Sequence, residues 1–230
     1  MVYIDIESYD DIELLNKYED IHVIYISIKI KDFSIFKNFT KNKIDTLVCN
    51  NNNQFNSFEG LNFKRINELI CNNNQITSFK GLNIEKINKL DCSYNQITSF
   101  KELNIKEINK LDCSHNQINS FEGLNFKKID RLNCSFNQIN SFEGLNIEEI
   151  NKLFCLRNQI TSFEGLNIKE INKLDCSFNQ ITSFKGLNVE KINKLDCSFN
   201  KFNSFEGLNL NIGKINKLDC SDNQITSFED

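Results

Sequence analysis

The chain of 230 residues contains no proline, no tryptophan and no alanine, a single methionine (Met1), two histidines and three arginines, Arg65, Arg131 and Arg157. These gaps, with the abundance of Asn, Ile, Lys and Phe, follow codon A/T content and point to an AT-rich genome rather than to a function. Long apolar runs are also missing. Nothing approaches the roughly 18–20 uninterrupted apolar residues of a membrane span, so no membrane association is expected. The opening residues, Met1 to Ser8, carry no basic region ahead of an apolar stretch, and no secretory signal peptide is expected. Positive charge is not in excess either. With 27 basic against 31 acidic residues the net charge is −4, which argues against a nucleic-acid partner and against a polybasic membrane patch. No Gly-rich phosphate loop and no Ser/His/Asp, Cys/His or paired-carboxylate arrangement is legible. His22 and His115 are too far apart in register to share a metal. The expectation is a non-enzyme with no catalytic residue, no metal and no cofactor.

What is present is a repeat. Apolar residues make up 40% of the chain and charged residues 25%, enough for a continuous core. Nine cysteines (Cys49, Cys71, Cys92, Cys113, Cys134, Cys155, Cys176, Cys197 and Cys220) follow one another at spacings of 22, then 21 six times, then 23. The unit that starts at Ile87 reads INKLDCSYNQITSFKELNIKE, with apolar residues at positions 1 (Ile87), 4 (Leu90), 6 (Cys92), 11 (Ile97), 14 (Phe100), 17 (Leu103) and 19 (Ile105), and Asn95 at position 9. This L-x-x-L-x-L/C-x-x-N-x-L pattern resembles the leucine-rich repeat, in a short form like that of internalins and phosphatase regulators. The resemblance covers nearly the whole chain. It implies one α/β solenoid, a right-handed arc with a concave parallel sheet of 9–10 short strands and turns and 3₁₀ segments on the convex side.

Residues 1–22 are expected to form an N-terminal cap, with a capping box at Ser8–Asp11 ahead of a short amphipathic helix through Ile12, Leu14, Leu15 and Tyr18. The solenoid takes residues 23–230: a degenerate first repeat at about 23–43 and nine Cys-bearing repeats at about 44–230. The degenerate repeat falls into register with Ile26 at position 4, Ile28 at position 6, and Phe33, Phe36 and Phe39 at positions 11, 14 and 17. Lys31 then stands where Asn is expected. At the other end residues 209–213 lengthen the penultimate coil, and the last repeat stops just after Phe228 without a cap. That open end either frays or pairs with a second copy.

Strand alternation sends positions 4 and 6 inward and positions 3, 5 and 7 outward. The cysteines then read as core, since free Cys packs as a small hydrophobe, and free thiols fit a reducing, cytoplasmic compartment. The Asn column, read as Asn53, Asn74, Asn95, Asn116, Asn137, Asn158, Asn179, Asn200 and Asn223, points inward in this family and bonds backbone between coils. Phe at position 14, from Phe58 to Phe228, forms a buried spine, and Gly at position 16 serves a turn with positive φ, with Glu102 as the one replacement. On the outward face a basic row at position 3 is expected to neutralise a largely acidic row at position 5.

Candidate partner-binding residues lie at position 8 (Tyr94, His115, Phe136, Arg157, Phe178, Phe199) and in the coil that departs from the consensus, where Phe154 replaces Asp and Leu156 replaces Ser. The position-8 row reads either as a contact surface or as a structural ladder, and the divergent coil either as a hot spot or as repeat drift. The resulting expectation is a non-catalytic scaffold that binds a protein partner on the concave face. The alternative is a self-assembling protein that associates through its ends or its aromatic edge.

Overall fold

The computed structural model describes residues 2–18, 21–36, 43–52, 54–61, 63, 65–208 and 215–226. The repeat unit dictates the coil. In the strand at Lys86–Asp91 the side chains of Ile87 and Leu90 are buried, as is Cys92 just beyond it, while Asn88, Lys89 and Asp91 face outward. The three inward residues can leave water only if the chain returns beneath the strand, and the apolar residues at positions 11, 14, 17 and 19 line that return path.

Two compact units result, Met1–Asn116 and Gln117–Asp230. The first contains β1 (Tyr3–Ile6), β2 (Val23–Ile26), β3 (Lys43–Val48), β4 (Arg65–Ile70), β5 (Lys86–Asp91) and β6 (Glu107–Asp112), each paired in parallel with the next. The second contains β7 (Asn125–Asn133), β8 (Asn146–Phe154), β9 (Glu170–Asp175), β10 (Lys191–Asp196) and β11 (Lys217–Asp219), again parallel and in chain order. Among the described residues the only 3₁₀ helices are Tyr9–Asn16 and Ser34–Phe36. The Cys-bearing coils return through turns, because so short a coil leaves no room for helix once the strand is laid down.

The first two coils correct the sequence reading. Residues 1–22 are not a cap alone, since β1 pairs with β2 and buries Ile4 and Ile6 in register with Ile24 and Ile26. The capping box is in place: the Asp11 carboxylate accepts from the Ser8 amide at 2.7 Å and from the Ser8 hydroxyl at 2.8 Å, ahead of the 3₁₀ helix that buries Leu15. In the degenerate repeat, Ile24 pairs with Leu47, so Ile24 and Ile26 hold positions 4 and 6, two residues earlier than Ile26 and Ile28. Phe33 stacks on Phe58 at 6.4 Å and therefore holds position 14, and Lys31 is not at the Asn position. The sequence is ambiguous here because isoleucines alternate through both frames and the phenylalanines recur every three residues. Phe39, the 209–213 insertion and Phe228 lie outside the described residues.

The Phe column forms a spine within each unit. Phe58, Phe79 and Phe100 stack at 6.4 and 6.0 Å, and Phe121, Phe142, Phe163 and Phe184 at 6.0–6.1 Å, all fully buried. Two residues on, the glycine turn brings the backbone against the previous coil. Gly165 has φ +88°, and a Cβ there would sit 2.6 Å from the Glu143 nitrogen and 2.7 Å from the Phe142 carbonyl carbon. Glu102 does not adopt positive φ. Its turn keeps the Leu103 N–H to Phe100 carbonyl bond at 2.9 Å by another backbone path, and Leu103 is left 7% exposed. Gly165→Ala should therefore lower the unfolding free energy by about 2 kcal/mol, combining backbone strain with displacement of a neighbouring coil. Glu102→Ala in the same urea titration should change it by less than about 0.5 kcal/mol. Equal shifts at the two positions would contradict this account of the turn.

Candidate functional site

The inward columns set the frame for the surface. Every cysteine of the chain is free; eight are buried, and Cys220 is half-exposed, unlike the uniformly buried column expected. Leu218 and Ile225 of the same coil are half-exposed too. In the interior, the Cys176 amide and thiol both donate to the Asp196 carbonyl, at 2.9 and 3.4 Å. Burial pushes the thiols of Cys71, Cys92, Cys155 and Cys176 well above their ordinary range, and nearby thiols and aspartates push in the same direction. Among the described residues no group of three His, Cys, Asp or Glu side chains is placed to hold a metal ion, and no helix is long and apolar enough to cross a membrane.

The Asn column ties coil to coil. Asn179 Nδ2 donates to the carbonyls of Cys155, Cys176 and Ser177 at 3.0–3.1 Å, and its Oδ1 accepts from the Ile160 amide at 3.0 Å. The first member of the column is Asn52, not Asn53: Asn52 bonds the Ile28 carbonyl at 2.6 Å and the Ile30 amide at 3.2 Å. Asn53 lies outside the described residues, in the coil whose Cys-to-Cys spacing is 22 rather than 21. The insertion has a local cost. The Phe55 amide turns to the Asn52 carbonyl of its own coil, and the buried Oδ1 of Asn74 is left without a hydrogen-bond partner.

On the outward face the position-5 carboxylates are engaged chiefly by serine. Ser93, Ser114, Ser177, Ser198 and Ser221 donate their hydroxyls to the aspartate two residues earlier at 2.6–2.8 Å, and Ser135 does so to Asn133. The expected pairing of the Lys and Asp rows is looser, as at Lys173–Asp175, 4.0 Å apart. The rows run in register: Lys173, Lys194 and Lys217 beside Asp175, Asp196 and Asp219, and in the first unit Lys89 and Lys110 beside Asp91 and Asp112.

Position 8 holds what the sequence reading missed. Asn51, Asn73, Tyr94, His115, Phe136, Arg157, Phe178, Phe199 and Asp222 all have φ between 51° and 56°. At Asn51, Asn73, Tyr94, Phe136, Arg157, Phe178 and Phe199 the left-handed turn aims the N–H at the position-7 carbonyl of the following coil, as in Phe178 to Ser198 at 3.0 Å. Such a conformation costs a non-glycine residue roughly 1–2 kcal/mol. Asn and Asp at three of the nine positions were a legible signal of it, since they tolerate that region best. Elsewhere side-chain stacking offsets the cost by a comparable amount. Tyr94 stacks on His115 at 4.0 Å in the first unit, and Phe178 on Phe199 at 4.1 Å in the second. Arg157 lies 5.4 Å from the Phe136 ring centroid and 4.5 Å from that of Phe178. The row is nevertheless open to solvent, with Tyr94 54% exposed, Phe136 and Phe178 37%, and Phe199 44%.

The divergent coil adjoins this row in the second unit. Phe154 and Leu156 are half-exposed on β8 and just past its end. The Phe154 ring is flanked by Arg131 at 4.2 Å and Lys173 at 4.7 Å, from the position-3 row of the strands on either side. Phe136, Phe154, Leu156, Arg157 and Phe178 thus form one surface in the second unit, with cations set against its rings. Tyr94 and His115 form a separate pair in the first. A groove of about 1040 Å³ lies toward the beginning of the strands in the second unit, lined by Lys128, Asp130, Glu149, Asn151, Lys191 and Asn193 among others. Much of that lining is self-paired: Asn151 donates to Asp130 at 2.7 Å, Asn193 to Asn172 at 2.8 Å, and Lys128 meets Glu149 at 2.8 Å.

No family model and no curated protein matches the chain in sequence. Among solved structures, the leucine-rich repeat domain of APL1B superposes with a TM-score of 0.74 over 98% of this chain and 68% of its own, at 16% identity. This chain has the leucine-rich-repeat fold. A TLR13–ssRNA13 complex gives a TM-score of 0.68 over 99% of this chain at 17% identity, and an LRIM1/APL1C complex 0.52 over 92% at 16%. The chain spans 37% and 46% of those two chains. At such identities the likeness is one of leucine-rich-repeat fold alone.

Proposed function

We propose that the protein is a non-catalytic interaction scaffold that binds a protein partner on the outward face of its strands, in a reducing compartment suited to its free thiols. The observation that carries this reading is the exposed surface around Phe154, where large apolar side chains are held in place by Arg131, Arg157 and Lys173. Pre-ordered aromatics and arginine are the residue types that dominate binding energy, because little conformational freedom remains to be lost on docking. Leucine-rich-repeat structures solved as complexes, LRIM1/APL1C among them, support the general role. The repeated Asp–Ser pairs give no unique constellation of the kind catalysis needs.

The test restores the divergent coil to the repeat's own consensus, Phe154→Asp with Leu156→Ser and Arg157→Phe. No inward residue changes, so the fold is retained. Proteins captured from the native source by the wild type should bind this variant at least about 30-fold more weakly, the equivalent of about 2 kcal/mol. Full retention of affinity by every captured protein would place the binding surface elsewhere.

A further inference from the structure

Within the second unit the charge pattern of the outward face breaks at one place. Arg131, Lys152 and Lys173 are direct neighbours on β7, β8 and β9, so three cations stand side by side at about 4.8 Å intervals. Like charges directly opposite one another destabilise a sheet. On β9, β10 and β11 the lysine row runs beside three aspartates. On β7 and β8 the same positions are Asn133 and Phe154, which are neighbours of each other, so two consecutive carboxylates are missing from the acidic row. Arg157 adds a fourth cation beyond the strand end, exposed between Phe136 and Phe178.

From this break we infer that the surface around Phe154 is built for an acidic protein segment in which Asp or Glu flanks a Leu or Phe. The inference rests on the scaffold reading above and names the partner chemistry of that surface. The partner's carboxylates stand in for those that Asn133 and Phe154 remove, between Arg131, Lys152 and Lys173, where an arginine can donate two parallel N–H bonds to a carboxylate. The partner's apolar residue packs on Phe154 and Leu156. A phosphate backbone would meet the same cations, but single-stranded nucleic acid also draws on free ring faces on which bases stack. Here Arg131 and Lys173 lie over Phe154, Arg157 lies against Phe136 and Phe178, and Phe178 is stacked on Phe199. The aromatic edges, rather than their faces, are what the row presents, and edges suit aliphatic and aromatic side chains.

The experiment selects a random 12-residue peptide library on the whole protein and measures the winners, with a 12-nucleotide dT strand in parallel, by fluorescence anisotropy. Enrichment of Asp and Glu around Leu or Phe is expected, with binding weakened several-fold between 50 and 300 mM salt. Asn133→Asp adds a charge at constant side-chain shape, and the Ser135 hydroxyl, which donates to Asn133 Oδ1 at 2.8 Å, would do the same to an aspartate. That variant and Lys152→Gln should each weaken the peptides at least fivefold, and Asn133→Asp combined with Phe154→Asp at least 30-fold. Peptides that lack acidic enrichment yet are lost on Phe154→Asp would overturn the inference and leave the scaffold reading standing. Peptides indifferent to Phe154→Asp, or no selected peptide at all, would count against both. Tighter binding of dT than of any peptide, lost in the same variants, would overturn the acidic-segment assignment in favour of a nucleic acid.

Discussion

Raising the pH from 8 to 10 should strip the protein of most of its stability. A cysteine in an unfolded chain ionises near pH 8.5. In the folded protein the thiols of Cys71, Cys92, Cys155 and Cys176 are held protonated far above that, first by burial and then by adjacent thiols and aspartates. Each raised thiol contributes stability that is fully present below the unfolded value. Between the unfolded and the folded value the native state binds the extra proton, so stability falls as pH rises through that window. The slope is about 1.4 kcal/mol per pH unit for each thiol, or about 5 kcal/mol per unit for the four together. Set against the 5–15 kcal/mol typical of a folded domain, such a slope is large. Urea midpoints at pH 7, 8, 9 and 10 measure it directly. Cys176→Ala should begin lower, because it leaves a cavity, but should lose stability less steeply by about one thiol's share. At pH 8 a thiol reagent should label Cys220 well ahead of the buried eight, and all nine together in urea. A flat pH profile with rapid labelling of many thiols would show that the column is not closed to water.

How much of this was legible in the sequence depends on how often a feature recurs. The Cys, Phe and Asn columns recur in coil after coil, and periodicity alone places the inward residues. Where a repeat is degenerate that periodicity is lost: at 23–43, alternating isoleucines fit two frames, and the pairing of Ile24 with Leu47 decides between them. The Asn52/Asn53 ambiguity has the same origin, four consecutive asparagines around an insertion. The candidate site was partly legible. Phe154, Leu156 and Arg157 stand out as departures from consensus, but their setting does not. That Arg131 and Lys173 lie over Phe154 follows from strand register, which a single coil's sequence does not contain. The left-handed turn at position 8 is a backbone property that Asn51, Asn73 and Asp222 hinted at and the aromatics masked.

Asn179→Leu should be strongly damaging, although leucine keeps the heavy-atom branching of asparagine. The side chain is 7% exposed and makes four bonds to backbone, three through Nδ2 and one through Oδ1. It spans two coils, since the Cys155 carbonyl and the Ile160 amide belong to the coil before its own. Leucine has the same heavy-atom branching and is the better hydrophobe, so area burial alone predicts a gain. The hydrogen-bond account predicts the reverse. Each buried backbone group left without a partner costs about 1–3 kcal/mol, and water reaching some of the four would bring the total to about 4 kcal/mol. Gln180, the next residue, is exposed and accepts only a 3.4 Å contact from Lys201 at its side chain. Gln180→Leu should therefore move the urea midpoint by less than about 0.5 kcal/mol equivalent. Hydrogen exchange adds a local readout: in Asn179→Leu the Ile160 amide should lose protection before the amides of β10 do, because among the described residues its acceptor is Asn179 Oδ1. Equal midpoints for the two leucine variants, with the Ile160 amide still protected, would mean that the column's amides contribute nothing that packing does not already supply.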